Sequence, residues 1–295
     1  VGFDRSINPY RGCEHGCIYC YARPSHAWLG LSPGLDFETR LFAKFDAVQL
    51  LDHELRKPGY KPQLIVLGAN TDPYQPVERQ YQITRSVIEV LGAFNHPFTI
   101  ITKSALVARD IDLLAPLAAR NLVRVAISVT SLDRTLARHM EPRAATPPRR
   151  LETIQQLTEA GISTTVMAAP MIPGLNDHEL ESILEAAKDV GVHSAAYVLL
   201  RLPLEIAQLF EEWLHAHVPD RANRVLNLMR SARGGKLYQS EWGKRFVGDG
   251  PYAQILASRF AVARKRLALN SARKPLDFSQ FRAPARKGDQ MSFAL

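Results

Sequence analysis

Residues 98–127 read FTIITKSALVARDIDLLAPLAARNLVRVAI, and this stretch sets the architecture. Phe98-Thr99-Ile100-Ile101 and Val123-Arg124-Val125-Ala126-Ile127 are nearly continuous apolar runs rich in β-branched residues. Such runs belong to strands buried on both faces of a parallel sheet. Between them, 105–120 carries apolar residues at helical spacing. The stretch therefore reads strand, helix, strand. The same alternation extends in both directions. Further apolar runs are Leu64-Ile65-Val66-Leu67, Thr164-Thr165-Val166-Met167 and Ala196-Tyr197-Val198-Leu199-Leu200. Helical periodicity recurs over about 40–57, 78–94, 147–160, 177–190 and 203–217. Asn176 followed by Glu179 reads as a capping box, and Gly161 and Gly191 stand where helix C-terminal glycines belong. With a short strand before Cys13, the chain holds six β-then-α units. Repeated units of this kind build a parallel sheet, either doubly wound or curled into a barrel.

The rhythm stops near Pro219, which divides an expected core at 1–218 from an extension at 219–295. One helix is expected at about 251–269. Tyr238, Trp242 and Phe246 recur every four residues, as an apolar helix stripe docking on the core would. Arg273 to Leu295 is polar, punctuated by proline, and expected to be partly extended or disordered.

The 295 residues are 46% hydrophobic and 22% charged, a globular profile. Mean hydropathy is −0.14. No apolar run approaches the roughly 18 residues of a membrane span. No basic-then-apolar leader follows Val1, and the expected location is cytoplasmic. Three cysteines exclude a disulfide framework. The net charge of +8 is unevenly placed. Residues 221–287 carry sixteen Lys and Arg against Glu241, Asp249 and Asp277, a net +13, which leaves −5 for the rest. Such asymmetry implies either a polyanionic partner or a solvated basic face. Arg259, Arg264, Lys265 and Arg266 are the residues least readily explained by packing.

All three cysteines lie in Cys13-Glu14-His15-Gly16-Cys17-Ile18-Tyr19-Cys20, spaced C-x3-C-x2-C. A zinc site would need a fourth ligand, for which His15 and His26 are the candidates. An iron–sulfur cube held by three thiolates instead leaves one iron open to a ligand from outside the protein.

Cys13, Cys17, Tyr19 and Cys20 together resemble the signature of the radical S-adenosylmethionine (SAM) superfamily. The resemblance implies a partial (βα)6 TIM-type barrel with a mostly helical, basic C-terminal extension. It implies a [4Fe-4S] cluster on Cys13, Cys17 and Cys20, with SAM chelated at the open iron and cleaved to a 5′-deoxyadenosyl radical that abstracts hydrogen from a substrate. It also implies a reducing partner such as flavodoxin or ferredoxin. Working groups in a βα barrel sit at the C-terminal ends of the strands. That rule selects Gly68-Ala69-Asn70-Thr71-Asp72, Thr102-Lys103, Ser128-Val129-Thr130, Pro170 to Gly174, and Arg201. Lys103 suits the methionine carboxylate of SAM. Asn70, Thr71, Ser128 and Thr130 offer hydrogen bonds to the cofactor, Tyr19 lies beside it, and Gly174 admits close backbone approach. Tyr21, Arg143 and Arg201 are the catalytic candidates.

Residues 4–215 resemble more closely the spore photoproduct lyase-like branch, also called DNA repair photolyase-like. Tyr19 and Tyr21 flanking Cys20, Lys103 with Ser128, Glu141-Pro142 and Pro173-Gly174-Leu175-Asn176-Asp177 carry that likeness. The lyase's additional cysteine near its second strand has no counterpart in Gly68-Ala69-Asn70. The resemblance implies a nucleic-acid lesion or base as substrate. A small molecule or protein substrate is the alternative within the same enzyme class, and a non-enzymatic iron–sulfur redox sensor is the alternative outside it.

Overall fold

A computed structural model of the chain describes residues 3–241, 243–269 and 274–285. Six parallel strands form one sheet in chain order: β1 (Arg5–Ile7), β2 (Ile65–Leu67), β3 (Phe98–Thr102), β4 (Val123–Ser128), β5 (Thr164–Met171) and β6 (Ala195–Leu199). Ile65 pairs with Phe98, Phe98 with Val123, Val125 with Thr164, and Val166 with Ala195. Val66, Leu67, Val125, Ile127 and Val166 are almost completely buried, which is why these runs lack the polar alternation of a one-sided sheet. β1 and β6 end the sheet without pairing to each other, so this is a partial TIM-type barrel.

Helices return the chain between strands: α1 (Ala47–Leu55), α2 (Ile83–Ala93), α3 (Ile111–Ala119), α4 (Arg134–Met140), α5 (Pro147–Glu159), α6 (Leu180–Asp189) and α7 (Ile206–His217). Asp133 caps α4 by accepting from the Thr135 and Leu136 amides, and Pro147 opens α5 at a position that has no use for an N–H. Gly161 and Gly191 follow α5 and α6 with positive φ, as expected.

Several helices are shorter than their periodicity suggests. Phe42–Ala43 pairs antiparallel with Tyr10–Arg11, so α1 starts at Ala47 rather than near 40. Gln82, at φ 51°, splits a single turn at Glu78–Tyr81 from α2. The expected capping box does not form. Asn176 instead bonds the Ile172 amide and the Thr130 and Pro170 carbonyls, and Glu179 reaches Ser131 and the Leu132 amide. Both side chains tie the end of β5 to the end of β4.

Two helices follow: α8 (Pro219–Ser231) and α9 (Pro251–Arg266). Phe210 and Trp213 of α7 share one apolar cluster with Val225 and Met229 of α8, and this cluster includes Cys17 and Tyr19. Tyr238 and Phe246 are not on a helix, and Trp242 lies outside the described residues. The Phe246 carbonyl instead accepts from Leu199 N, so this segment lines the open edge of β6. Residues 274–285 cross the strand starts at the opposite end of the barrel. Asp277 N donates to the Asn121 carbonyl, Arg282 N to the Phe94 carbonyl, and Arg56 to the Pro284 carbonyl. Phe281 packs on Tyr60, Phe94 and His96. The part of the polar tail described here is thus an anchored strap. The part beyond 285 lies outside the described residues.

Candidate active site

The cysteine loop joins the first ribbon strand to the turn at Arg23–Leu29 and lies beside the C-terminal ends of the sheet. Arg23 organises it. This guanidinium, 2% exposed, donates to the Cys17 and Gly16 carbonyls, to the Pro33 and Gly34 carbonyls, and to Glu38. Gly16 has φ 66°, and a Cβ there would overlap both Glu38 and Arg143. The residue immediately before Cys17 therefore favours glycine, through its left-handed backbone and the two side chains that close over it.

Cys13 and Cys17 are buried and Cys20 partly so. Burial pushes the Cys17 thiol up to about 12, and Glu141 adds to the shift. Burial raises the Cys13 thiol as well, with Asp72, Cys17 and Cys20 contributing. The three thiols therefore sense one another. Yet among the described residues no three His, Cys, Asp or Glu side chains are gathered to hold one metal ion. His15 faces Asp72 at 3.4 Å, and His26 bonds the Arg40 carbonyl. Three thiols on one loop, in a sequence with no fourth cysteine, are the donor set that a three-thiolate iron–sulfur cube takes.

Two carboxylates that the sequence reading quoted but gave no role, Asp72 and the buried Glu141, bind this loop to the strand ends. Asp72, after β2, accepts from Thr102 Oγ1 at 2.6 Å, from Lys103 N at 2.8 Å and from Tyr74 N at 2.9 Å. Burial works to raise its pKa, but His15 and these donors bring it down to about 2. Glu141 accepts from Tyr19, from Thr130 Oγ1 at 2.6 Å and from Arg150. Burial opposes its charge, and Arg150 and Lys103 outweigh that effect and lower its pKa. Arg150 also donates to the Ser128 carbonyl. Tyr19, in the cysteine motif, is thereby fixed to the end of β4.

The other selected residues divide into two groups. Lys103 sits at the end of β3 with its ammonium 5.9 Å from the Tyr19 ring centroid. Burial alone would lower its pKa, but charge on Cys17 and Glu141 holds it above the ordinary lysine value. Ser128 is buried at the end of β4, and Asn70 is exposed after β2. The Tyr21 hydroxyl donates to the Ala69 carbonyl, and Arg201 lies over its ring at 4.0 Å. These residues share the mouth of the barrel with the cysteines. The remainder are engaged in building it. The Thr71 hydroxyl bonds the Tyr10 carbonyl, and Thr130 is committed to Glu141. Gly174 admits Leu228 of α8 where a side chain would stand. Arg143 donates to the Glu14 carbonyl and Glu38, which makes it a clamp on the cysteine loop.

Known proteins share this arrangement. The chain is 36% identical over 270 residues to an uncharacterized protein of Mycobacterium tuberculosis, covering 90% of this chain and 76% of that one. It is 28% identical over 251 residues to an uncharacterized protein of Acidianus two-tailed virus, covering 82% and 77%. Among solved structures, a spore photoproduct lyase mutant matches with a TM-score of 0.62 at 16% identity, over 88% of this chain and 72% of that one. Another spore photoproduct lyase mutant, with bound AdoMet and dinucleoside spore photoproduct, matches with a TM-score of 0.60 at 15% identity, over 89% and 73%. At such identity these structures speak for the fold. The radical SAM superfamily profile matches residues 7–187, more than half of the chain, and the chain belongs to the radical SAM superfamily.

Proposed function

We propose that this radical SAM enzyme acts on nucleic acid, with Cys13, Cys17 and Cys20 holding its [4Fe-4S] cluster and Lys103 receiving the carboxylate of SAM. The cluster and SAM supply the one-electron radical chemistry, and the protein supplies positioning and exclusion of water. The observation that carries the reading is the charge at the end of β3. Lys103 is held protonated beside the cysteine loop, with no carboxylate in ion-pair contact among the described residues. A desolvated ammonium in that position calls for an anionic ligand. Tyr19 and Ser128 flank it. Asp72, Glu141, Arg23 and Arg143 keep the loop in place before any ligand arrives.

The nucleic-acid substrate is supported by the net +13 of residues 221–287 and by the substrate named in the lyase complex. A small-molecule or protein substrate is the second reading. The intramolecular pairing of Arg259 with Glu181 and of Arg266 with Glu185 favours it, because it removes two cations from the basic face. An external electron donor is required in either case, and a flavodoxin or ferredoxin fits that role.

Anaerobic reconstitution tests the first part. The protein should take up about four irons, as its cluster type requires, and with dithionite and SAM it should release 5′-deoxyadenosine. Cys13→Ala, Cys17→Ala and Cys20→Ala should each abolish both results. A colourless protein with one zinc and no nucleoside product would overturn the assignment. Binding of single-stranded and duplex oligonucleotides as a function of salt separates the two substrate readings.

A further inference from the structure

Arg201 leaves β6 at the mouth of the barrel, next to the cysteine loop. Its guanidinium carbon lies 4.0 Å from the Tyr21 ring centroid and 4.6 Å from that of Phe246. Tyr21 is bonded to Ala69 after β2, and Phe246 is bonded to Leu199 of β6. The two rings thus anchor the cation from both flanks of the open sheet. One Arg201 donor lies within hydrogen-bond reach of the Tyr21 hydroxyl; aromatic stacking engages the faces of a guanidinium and leaves its other in-plane N–H donors for a partner at the edge. Tyr21, Tyr238, Arg245 and Cys20 bear on Arg201, and no carboxylate among the described residues is in ion-pair contact with it.

Arg233 stands behind it and is only 1% exposed. Its terminal nitrogens donate to the Leu199, Leu200 and Arg245 carbonyls, while its Nε is buried without a partner. Burial, with Arg201 adding to it, pushes the Arg233 pKa down to about 10. Asp249 bears weakly on it and is already paired with Lys244 at 3.3 Å. Two neighbouring guanidiniums, one partly and one almost fully buried, therefore share a site in which no carboxylate among the described residues forms an ion pair with either. Burying such charge is unfavourable unless an anion completes it.

We propose that Arg201, backed by Arg233, is an anion subsite at the barrel mouth that takes a pair of phosphodiester oxygens of the substrate. The inference rests on the nucleic-acid reading above and assigns that reading its anchoring residue. The planar fork of arginine matches two phosphate oxygens, as a lysine ammonium does not. Lys103, at the end of β3, remains the group for the SAM carboxylate.

The test uses the full chain, reconstituted with its cluster, and a fluorescein-labelled single-stranded oligonucleotide. Arg201→Gln should weaken binding roughly tenfold or more, which corresponds to about 1.4 kcal/mol. It should reduce the log–log salt slope by about 0.7, the value for one phosphate on a single strand. Arg201→Lys should keep the slope and still lose affinity. Both variants should bind SAM as the parent does and unfold at the parent's temperature. Unchanged oligonucleotide binding in Arg201→Gln would overturn the subsite while the nucleic-acid reading stands. Loss of SAM binding with oligonucleotide binding intact would also overturn it and assign Arg201 to the cofactor. If the parent binds no oligonucleotide, the nucleic-acid reading fails, and inorganic phosphate becomes the probe. Thermal protection of the parent but not of Arg201→Gln would then keep an anion subsite for a small phosphorylated substrate. No protection would overturn the subsite as well.

Discussion

Lys103 retains its charge in a setting that desolvates it because Cys17 and Glu141 lie within electrostatic reach. Removing the ammonium should therefore affect the ligand more than the fold. Lys103→Ala should weaken SAM binding by roughly 1.5–3 kcal/mol, the range for a hydrogen bond to a charged group. Calorimetry on the reconstituted protein checks this, and parent-like affinity would remove Lys103 from the carboxylate role. Lys103 was legible in the sequence because a lysine on an apolar strand end is conspicuous. The roles of Asp72 and Glu141 were not. Each is an ordinary acid after an ordinary strand or helix, and its role depends on partners brought together by folding. Tyr19 and Glu141 are 122 residues apart. Arg143 was noticed for a neighbouring motif, but its hydrogen bonds reach the back of the cysteine loop. Sequence proximity gave no indication of the direction of its side chain.

At the level of elements, the strands were legible because burial on both faces leaves an unbroken apolar run. Helix starts were harder to place. Gln82 and the ribbon strand Phe42–Ala43 interrupt stretches whose periodicity continues through them. The apparent capping box failed because Asn176 and Glu179 serve the ends of β4 and β5. The stripe of Tyr238 and Phe246 failed because the segment folds into a turn at 243–247 whose Phe246 carbonyl takes up the Leu199 amide at the edge of β6. Strand-end geometry is most demanding at Gly68, which has φ 85°. A Cβ there would overlap the Ile101 carbonyl oxygen, which belongs to the backbone of β3 and cannot rotate away. Gly68→Ala should destabilise the fold by roughly 2 kcal/mol or more, combining an incompatible φ with overpacking. The thermal midpoint should fall by several degrees, and an unchanged midpoint would show that β2 and β3 can separate without penalty.

For the whole molecule, the strap at 274–285 governs the base of the barrel, away from the chemistry at its mouth. It seals His96, which is fully buried and bonds the Tyr60 hydroxyl at 2.9 Å. Burial lowers the His96 pKa from 6.5 to about 4. A base that stays neutral in the fold contributes stability that is complete above its unfolded pKa, and that contribution is lost as pH falls through the folded value. The window is therefore about pH 6.5 down to 4, and the loss amounts to about 3 kcal/mol. Denaturant unfolding should weaken across that window, and His96→Gln, which keeps a hydrogen bond without titrating, should flatten the response. An identical pH dependence in the variant would place the acid sensitivity elsewhere. The strap also bears on biosynthesis. The contact of Arg56 with Pro284 spans 228 residues. At about 5–20 residues per second, a ribosome needs roughly ten to fifty seconds to produce that length. During this interval the barrel can form while Tyr60, Phe94 and His96 wait uncovered. The nascent chain thus presents an aromatic patch at its base until the strap emerges, which makes that interval the one in which a chaperone has most to protect.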